Sequence, residues 1–308
     1  MKDRIVQVAV CLMLLISATA AAGNGNHVSV DIHQEAEGNS VAGEVYICQV
    51  ADAVAFVDGN NNNVEQNVDL CINDNSLTGT EELPSSLTQV GYIVGNVTGN
   101  GNCLEQNLNL NAHNNCITMS NISQEAAQKA EIVGNNNEVS QSTSADSHDN
   151  MLTMSNIRQF SVLKASVIGN EDIVGQSVEQ QVVCNSLTGS KIWQQTVGNV
   201  SVYGSKSNAY QQVLQNADDN SLTSSTIKQV IETRSTIIGS SNDINQCAKM
   251  YAKSNGLTAA SVENQQILEV ANVLGSDNSL SHAITMTRSK NDMAGGTDLQ
   301  ASSAITNL

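Results

Sequence analysis

The chain contains one proline in 308 residues, Pro84. Proline is the residue that removes a backbone donor from a sheet, so almost nothing here forbids long extended ladders. Aromatic residues make up 3% and charged residues 14% of the total, with a single tryptophan. That scarcity suits neither an ordinary globular enzyme nor a charge-expanded disordered chain. Basic residues are few as well, 13 Lys and Arg against 30 Asp and Glu, for a formal net charge of −17. A surface of that sign argues against nucleic acid and against docking on anionic lipid, both of which require positive charge. No GxSxG, HExxH, P-loop or spaced carboxylate pair is present, so the sequence reads as a non-enzyme that uses no cofactor. Long hydrophobic runs are missing too. The apolar run from Ile5 to Ile16 is about half of the ~20 residues needed to span a bilayer.

That run follows Lys2 and Arg4 and precedes small residues, with Ala20 and Ala22 placed for a signal peptidase. Residues 1–22 read as a secretory signal peptide, and the mature chain is expected to begin at Gly23, outside the cytoplasm and without a membrane anchor. Its net charge is then about −18.

What the chain has in abundance is Asn, Ser, Gln, Gly and Thr, arranged in a repeat. Glycine recurs at Gly23, Gly59, Gly99, Gly134, Gly169, Gly204, Gly239 and Gly275. The eight repeats are 23–58, 59–98, 99–133, 134–168, 169–203, 204–238, 239–274 and 275–308. Sixteen residues after each glycine stands an asparagine: Asn39, Asn75, Asn115, Asn150, Asn185, Asn220, Asn255 and Asn291. Two further on the residue is apolar (Val41, Leu77, Ile117, Leu152, Leu187, Leu222, Leu257, Met293), followed by Thr, or by Ala in the two terminal repeats. Such self-similarity outranks any local motif as evidence about fold. The second repeat carries an insertion, GTEELPSSL, expected to bulge as a surface loop.

Within a repeat the apolar period is two, the mark of strands. One segment alternates as Val64, Gln66, Val68, Leu70, and a longer one as Ile122, Gln124, Ala126, Gln128, Ala130, Ile132. The glycine and the Asn-rich residues after it join one repeat to the next, using residues that tolerate positive φ. Strand parity changes across the Asn-Ser-Leu-Thr stretch, which suits a β-arc between two sheets better than a hairpin. The expected fold is all-β, a β-solenoid of stacked arches with two facing, parallel, in-register sheets.

In-register stacking sets like against like at about 4.8 Å, so amides can bond along the stack. Two inward glutamine rows are expected. One runs Gln66, Gln106, Gln141, Gln176, Gln211, Gln246 and ends in His282; the other runs Gln89, Gln124, Gln159, Gln194, Gln229, then Asn264, and ends in Gln300. In the first repeat Val30 and Cys48 stand in for glutamine. The position before the repeated asparagine (Gly38, Asp74, Asn114, Asp149, Cys184, Asp219, Ser254, Lys290) is acidic in every second repeat from the second to the sixth. Stacked carboxylates repel, and skipping a coil separates them.

Six cysteines follow the leader: Cys48, Cys71, Cys103, Cys116, Cys184 and Cys247. In an exported protein an even count points to disulfides, within or between chains, of undetermined pairing. No CxxC pair is present, so cysteine metal sites are not expected. The histidines His27, His33, His113, His148 and His282 are read as sharing no spacing and as surface or ladder-ending residues. Acids at Asp74, at Asp146 with Asp149, and at Asp218 with Asp219 can take calcium weakly, though solvated charge is the plainer reading. Asn96, Asn121 and Asn199 lie in N-x-S/T sequons. Trp193 is expected to face outward and serve a lateral contact.

The Gly-x-Asn turns and inward Gln and Asn of GNNNEVSQ, GNGNCLEQ and NSLTSSTIKQ are similar to the curlin-type repeats of secreted functional amyloids. Here the period is longer, and the cysteines are foreign to curlins. With the leader and cysteines, the whole mature chain resembles the amyloid-like structural proteins of tubular cell sheaths in methanogenic archaea. The resemblance implies arches joined edge to edge into rings or tubes, with other envelope proteins as further neighbours. An uncapped stack is expected to add to another, so the leading expectation is a secreted structural protein that self-assembles through its sheet edges. The alternative is a monomeric solenoid adhesin or surface-binding module, which requires a flat outward row of one residue type.

Overall fold

The computed structural model describes residues 8–17, 21–42, 45–79, 85–258, 262–289, 292–294 and 297–307. The insertion after Gly79 and the last asparagine, Asn291, fall largely or wholly outside them. Among the described residues every regular element is a strand, and no helix is long and apolar enough to cross a membrane.

Two leading strands, β1 (Val8–Ser17) and β2 (Ala21–Ala22), precede eight coils of three strands each. The first coil comprises β3 (His27–Glu37), β4 (Ser40–Ala42) and β5 (Val45–Asp58), and the second β6 (Asn63–Asn73), β7 (Ser76–Thr78) and β8 (Ser85–Thr98). The third has β9 (Cys103–His113), β10 (Cys116–Thr118) and β11 (Ser120–Val133); the fourth has β12 (Glu138–His148), β13 (Met151–Thr153) and β14 (Asn156–Ile168). Then come β15 (Ile173–Val183), β16 (Ser186–Thr188) and β17 (Lys191–Tyr203), followed by β18 (Asn208–Asp218), β19 (Ser221–Thr223) and β20 (Thr226–Ile238). The seventh coil is β21 (Asp243–Lys253), β22 (Gly256–Thr258) and β23 (Val262–Leu274), and the eighth β24 (Ser279–Ser289), β25 (Asp292–Ala294) and β26 (Thr297–Asn307).

Like strands pair with like, parallel and in register, so the coils form a β-solenoid as the repeat predicts. Two long sheets face each other. A third sheet, not foreseen as such, is built from the three-residue strands of the arc. It arises because the Leu-Thr of each arc continues the ladder between two backbone reversals. β1 lies outermost on the first coil, paired with β5 from Val8 opposite Val45 to Ser17 opposite Val54.

The reversals use left-handed backbone. Asp74, Asn114, Asp149, Cys184, Asp219 and Ser254 have φ between 54° and 56°. This gives the row before the asparagines a second physical reason, since Asn, Asp and Gly tolerate that region best. The repeated glycine answers to packing. A Cβ on Gly134 would lie 1.8 Å from the carbonyl oxygen of Gly99, and the same clash recurs along the row.

The core is apolar at both ends of the arch and polar between. Near the arc Leu77, Ile117, Leu152, Leu187 and Leu222 pack between Ile72 and Val182 on one sheet and Leu87, Ile122, Ile157, Ile192 and Ile227 on the other. Near the glycine turn Val64, Leu104, Val139, Val174 and Ile244 meet Val97, Ile132, Val167, Val202 and Ile237. Each such side chain contributes on the order of 1.5–3 kcal/mol when fully buried.

Candidate assembly site and its ladders

Between those apolar ends run the glutamine rows. Gln106 Nε2 donates to Gln66 Oε1 at 3.0 Å, Gln141 to Gln106 at 2.9 Å, Gln176 to Gln141 at 2.8 Å, Gln211 to Gln176 at 3.0 Å and Gln246 to Gln211 at 2.8 Å. In the second row Gln124 donates to Gln89, Gln159 to Gln124, Gln194 to Gln159 and Gln229 to Gln194, at 2.8–3.0 Å. In all of these amides but Gln211, Nε2 also reaches across the core. Gln124 Nε2, for example, lies 2.7 Å from the carbonyl of Leu110 on the facing sheet. A buried amide left half-satisfied would cost on the order of 1–3 kcal/mol, and continuity along the row prevents that.

The second row differs from the sequence expectation at both ends. It starts at Gln49, to which Gln89 donates at 3.1 Å, and Cys48 pairs with Thr88 instead. It passes through Gln265, and Asn264 sits outward opposite Lys228. The cause is one extra residue in each of these coils at the junction between arc and final strand, which shifts the strand by one position relative to a count from the glycine. Gln300 closes the row, donating to Gln265 Oε1 at 2.8 Å. The first row ends differently too. His282 turns to Glu269, with Nδ1 3.1 Å from Oε2, and Gln246 Oε1 is left without a partner.

The asparagine row is an N–H and amide ladder of opposite polarity. The backbone N–H and Nδ2 of Asn115 both donate to Asn150 Oδ1 at 2.9 Å, and Asn150 repeats this toward Asn185. Asn39, Asn75, Asn185 and Asn220 do likewise. Glutamine rows therefore donate back toward the first coil, and this row donates forward. Three further rows escaped sequence reading. Asn62, Asn102 and Asn137 form a buried ladder at the glycine turn, Gln215 donates to Gln180 at 2.8 Å, and Ser120, Ser155, Ser190 and Ser225 pass backbone N–H to hydroxyl. Their signal was the same 35-residue recurrence, obscured where other residues enter the row.

At the last coil the stack stays in register yet opens. Gln265 is fully buried, whereas Gln300, next in its row, is exposed. Along β24 the inward positions Leu280, Ile284 and Met286 are only half-buried. β24, β25 and β26 are each the outermost strand of their sheet, as are β3 and β4 at the other end.

Among the described residues none of Cys48, Cys71, Cys103, Cys116, Cys184 and Cys247 is in a disulfide, which corrects the expectation of bridges within the chain. Each occupies a different outward row, so no two stack on adjacent coils. The histidines do share a spacing. His113 and His148 are one repeat apart and stack, with ring centroids 6.1 Å apart and edge to face. His113 Nε2 lies 3.2 Å from Asp146 Oδ2, and that hydrogen bond raises its pKa despite burial. His148 Nε2 is 3.2 Å from Asp149 Oδ2. Of the three sequon residues, Asn121 is exposed, and Asn96 and Asn199 are half-buried.

Trp193 faces outward at 39% exposure, with Arg158 5.5 Å and Lys228 5.2 Å from its ring. These residues, with Lys191 and Ile192, line a shallow groove of about 620 Å³. It concentrates cations on a strongly acidic chain.

Fold and rows together define an all-parallel β-solenoid with amide ladders through its core. No protein-family model, no curated protein and no solved structure matches this chain.

Proposed function

We propose that the chain is a secreted structural subunit that polymerises through its sheet edges into an extracellular amyloid-like fibre or cell sheath. The observation that carries this reading is the open last coil, whose backbone, Gln300 amide and half-buried inward side chains keep the register of the seven coils beneath it. A further coil set on that edge would bury them as the interior ones are buried, and a second copy supplies such a coil. The relation is head to tail, which propagates as a filament unless the rotation between copies closes a ring. The ladder polarities favour that direction, since amides in one row all point the same way. β1 lies on the β5 edge, so removal of residues 1–22 on export would clear that edge for the incoming copy. The Gly-x-Asn turns and inward Gln that resemble curlin and sheath amyloids support the same reading. The outward cysteines suit reinforcement between neighbouring stacks.

The test is electron microscopy and fibre diffraction of purified residues 23–308. Ordered fibres or sheets with a meridional spacing of about 4.8 Å are expected. A monomer that stays soluble at high concentration and shows no such repeat overturns the proposal.

A further inference from the structure

The arc corner of the fourth and fifth coils gathers three chemically different metal ligands. His148 ends β12, Asp149 follows it at the left-handed position, and Cys184 occupies the same position one coil on. One imidazole nitrogen, one carboxylate oxygen and the thiol sulfur lie within 4.8 Å of one another. Asp149 and Cys184 are exposed and His148 is half-buried, so small side-chain rotations can bring all three onto one ion. Tetrahedral zinc, with bonds of about 2.0–2.3 Å, needs its ligands roughly 3.5 Å apart.

One residue stands out in this corner. Its left-handed row is filled mainly by Asp, Asn and Gly, yet the fifth coil places a cysteine there at φ 56°. A residue of ordinary β-carbon is disfavoured in that region by roughly 1–2 kcal/mol. A bound cation would hold the thiol as thiolate and neutralise the carboxylates around it. Behind the corner, Asp146 holds His113, which packs edge to face against His148.

The same donor set occurs a second time. His33 and Asp69 stack on adjacent coils with Nδ1 3.2 Å from Oδ2, and Cys71 Sγ lies 3.6 Å from Asp69 Oδ1. The first pair sits on neighbouring coils and the second two residues apart on one strand, so the trio is reached by a different route. In both clusters two of the residues lie one repeat apart and the third stands within two positions of one of them in the chain.

We propose that His148, Asp149 and Cys184 form a binding site for a divalent transition-metal cation of the zinc class, with water in the fourth position. The mixed nitrogen, oxygen and sulfur donors select against calcium, which takes six to eight oxygens. This site does not depend on polymerisation.

The test uses the full chain, reduced, with Cys71→Ser to silence the second cluster, titrated with Co2+ and followed by absorption. A thiolate-to-cobalt charge-transfer band is expected, displaced by Zn2+ and not by Ca2+. Cys184→Ser should abolish the band, and Asp149→Asn should weaken Co2+ binding about tenfold or more. Circular dichroism shows whether each variant keeps its strands. Independently of any variant, Zn2+ should slow iodoacetamide labelling of Cys184 at least about tenfold relative to Cys116, which is also exposed. Absence of the band, a band that survives Cys184→Ser, or equal protection of the two thiols overturns the proposal.

Discussion

At the scale of single residues, the protein is stabilised by side chains that ordinarily avoid a core. Gln159 is fully buried, receives an amide hydrogen from Gln194, and donates to Gln124 and to the carbonyl of Ala145. Leucine in its place would fill the space but leave Gln124 Oε1 without its donor, while Gln194 keeps the carbonyls of Gln180 and Asn216 as acceptors. Gln159→Leu is therefore expected to destabilise by about 1–3 kcal/mol, the cost of one orphaned buried acceptor. Urea unfolding followed by circular dichroism measures it; a stability change under 1 kcal/mol would mean that the ladder contributes little. Glycine acts by a different mechanism. At Gly91 a Cβ would meet Leu108 Cδ1 at 2.2 Å, so the missing side chain makes room for the facing sheet.

At the scale of the element, a coil is the unit, and the last two differ from the rest. Glu269 on β23 is fully buried, and burial pushes its pKa up to about 7, while burial pushes that of His282 down. Both shifts favour a neutral pair, with the protonated carboxyl donating to imidazole Nδ1. A raised acid pKa in the fold means that the folded state binds the proton more tightly. Its contribution is full below the unfolded value near 4.5 and is lost as pH rises to about 7, a span worth roughly 3 kcal/mol. Hydrogen-exchange protection of β23 and β26 should therefore fall between pH 4.5 and 7. Glu269→Gln, which keeps a donor toward His282, should remove that dependence. A wild-type profile flat across this range would show that the carboxyl is not held neutral.

At the scale of the whole molecule, eight coils make a block on the order of 35–40 Å tall with a net charge that opposes its own association. The interfaces that would overcome this repulsion are the sheet edges. Gln300→Lys together with Ser302→Lys places charge on inward positions of β26 that are exposed in one chain and buried once another coil is added. The variant is expected to remain folded and to lose polymer formation, read by light scattering and electron microscopy. Fibres forming at the wild-type rate would place the growing interface elsewhere. Raising salt from about 0.01 M to 0.15 M shortens the screening length from roughly 30 Å to 8 Å and should hasten assembly of the wild type.

Much of this was legible in the residues themselves. A period of about 35 residues, strand parity of two and like residues in like places determine parallel in-register stacking, because only that arrangement satisfies rows of buried Asn and Gln at once. The first glutamine row and the described asparagines fall where the count puts them. Tertiary structure decided what a count cannot. A single added residue between arc and strand moved the second row from Asn264 to Gln265 and opened it at Gln49. The arc's backbone became a third sheet, and its left-handed corner set the His148 ring diagonally beside Cys184, although the row count already stacks Asp149 on Cys184. Repeat spacing encodes neighbours along a row, whereas diagonal contacts depend on how each corner turns.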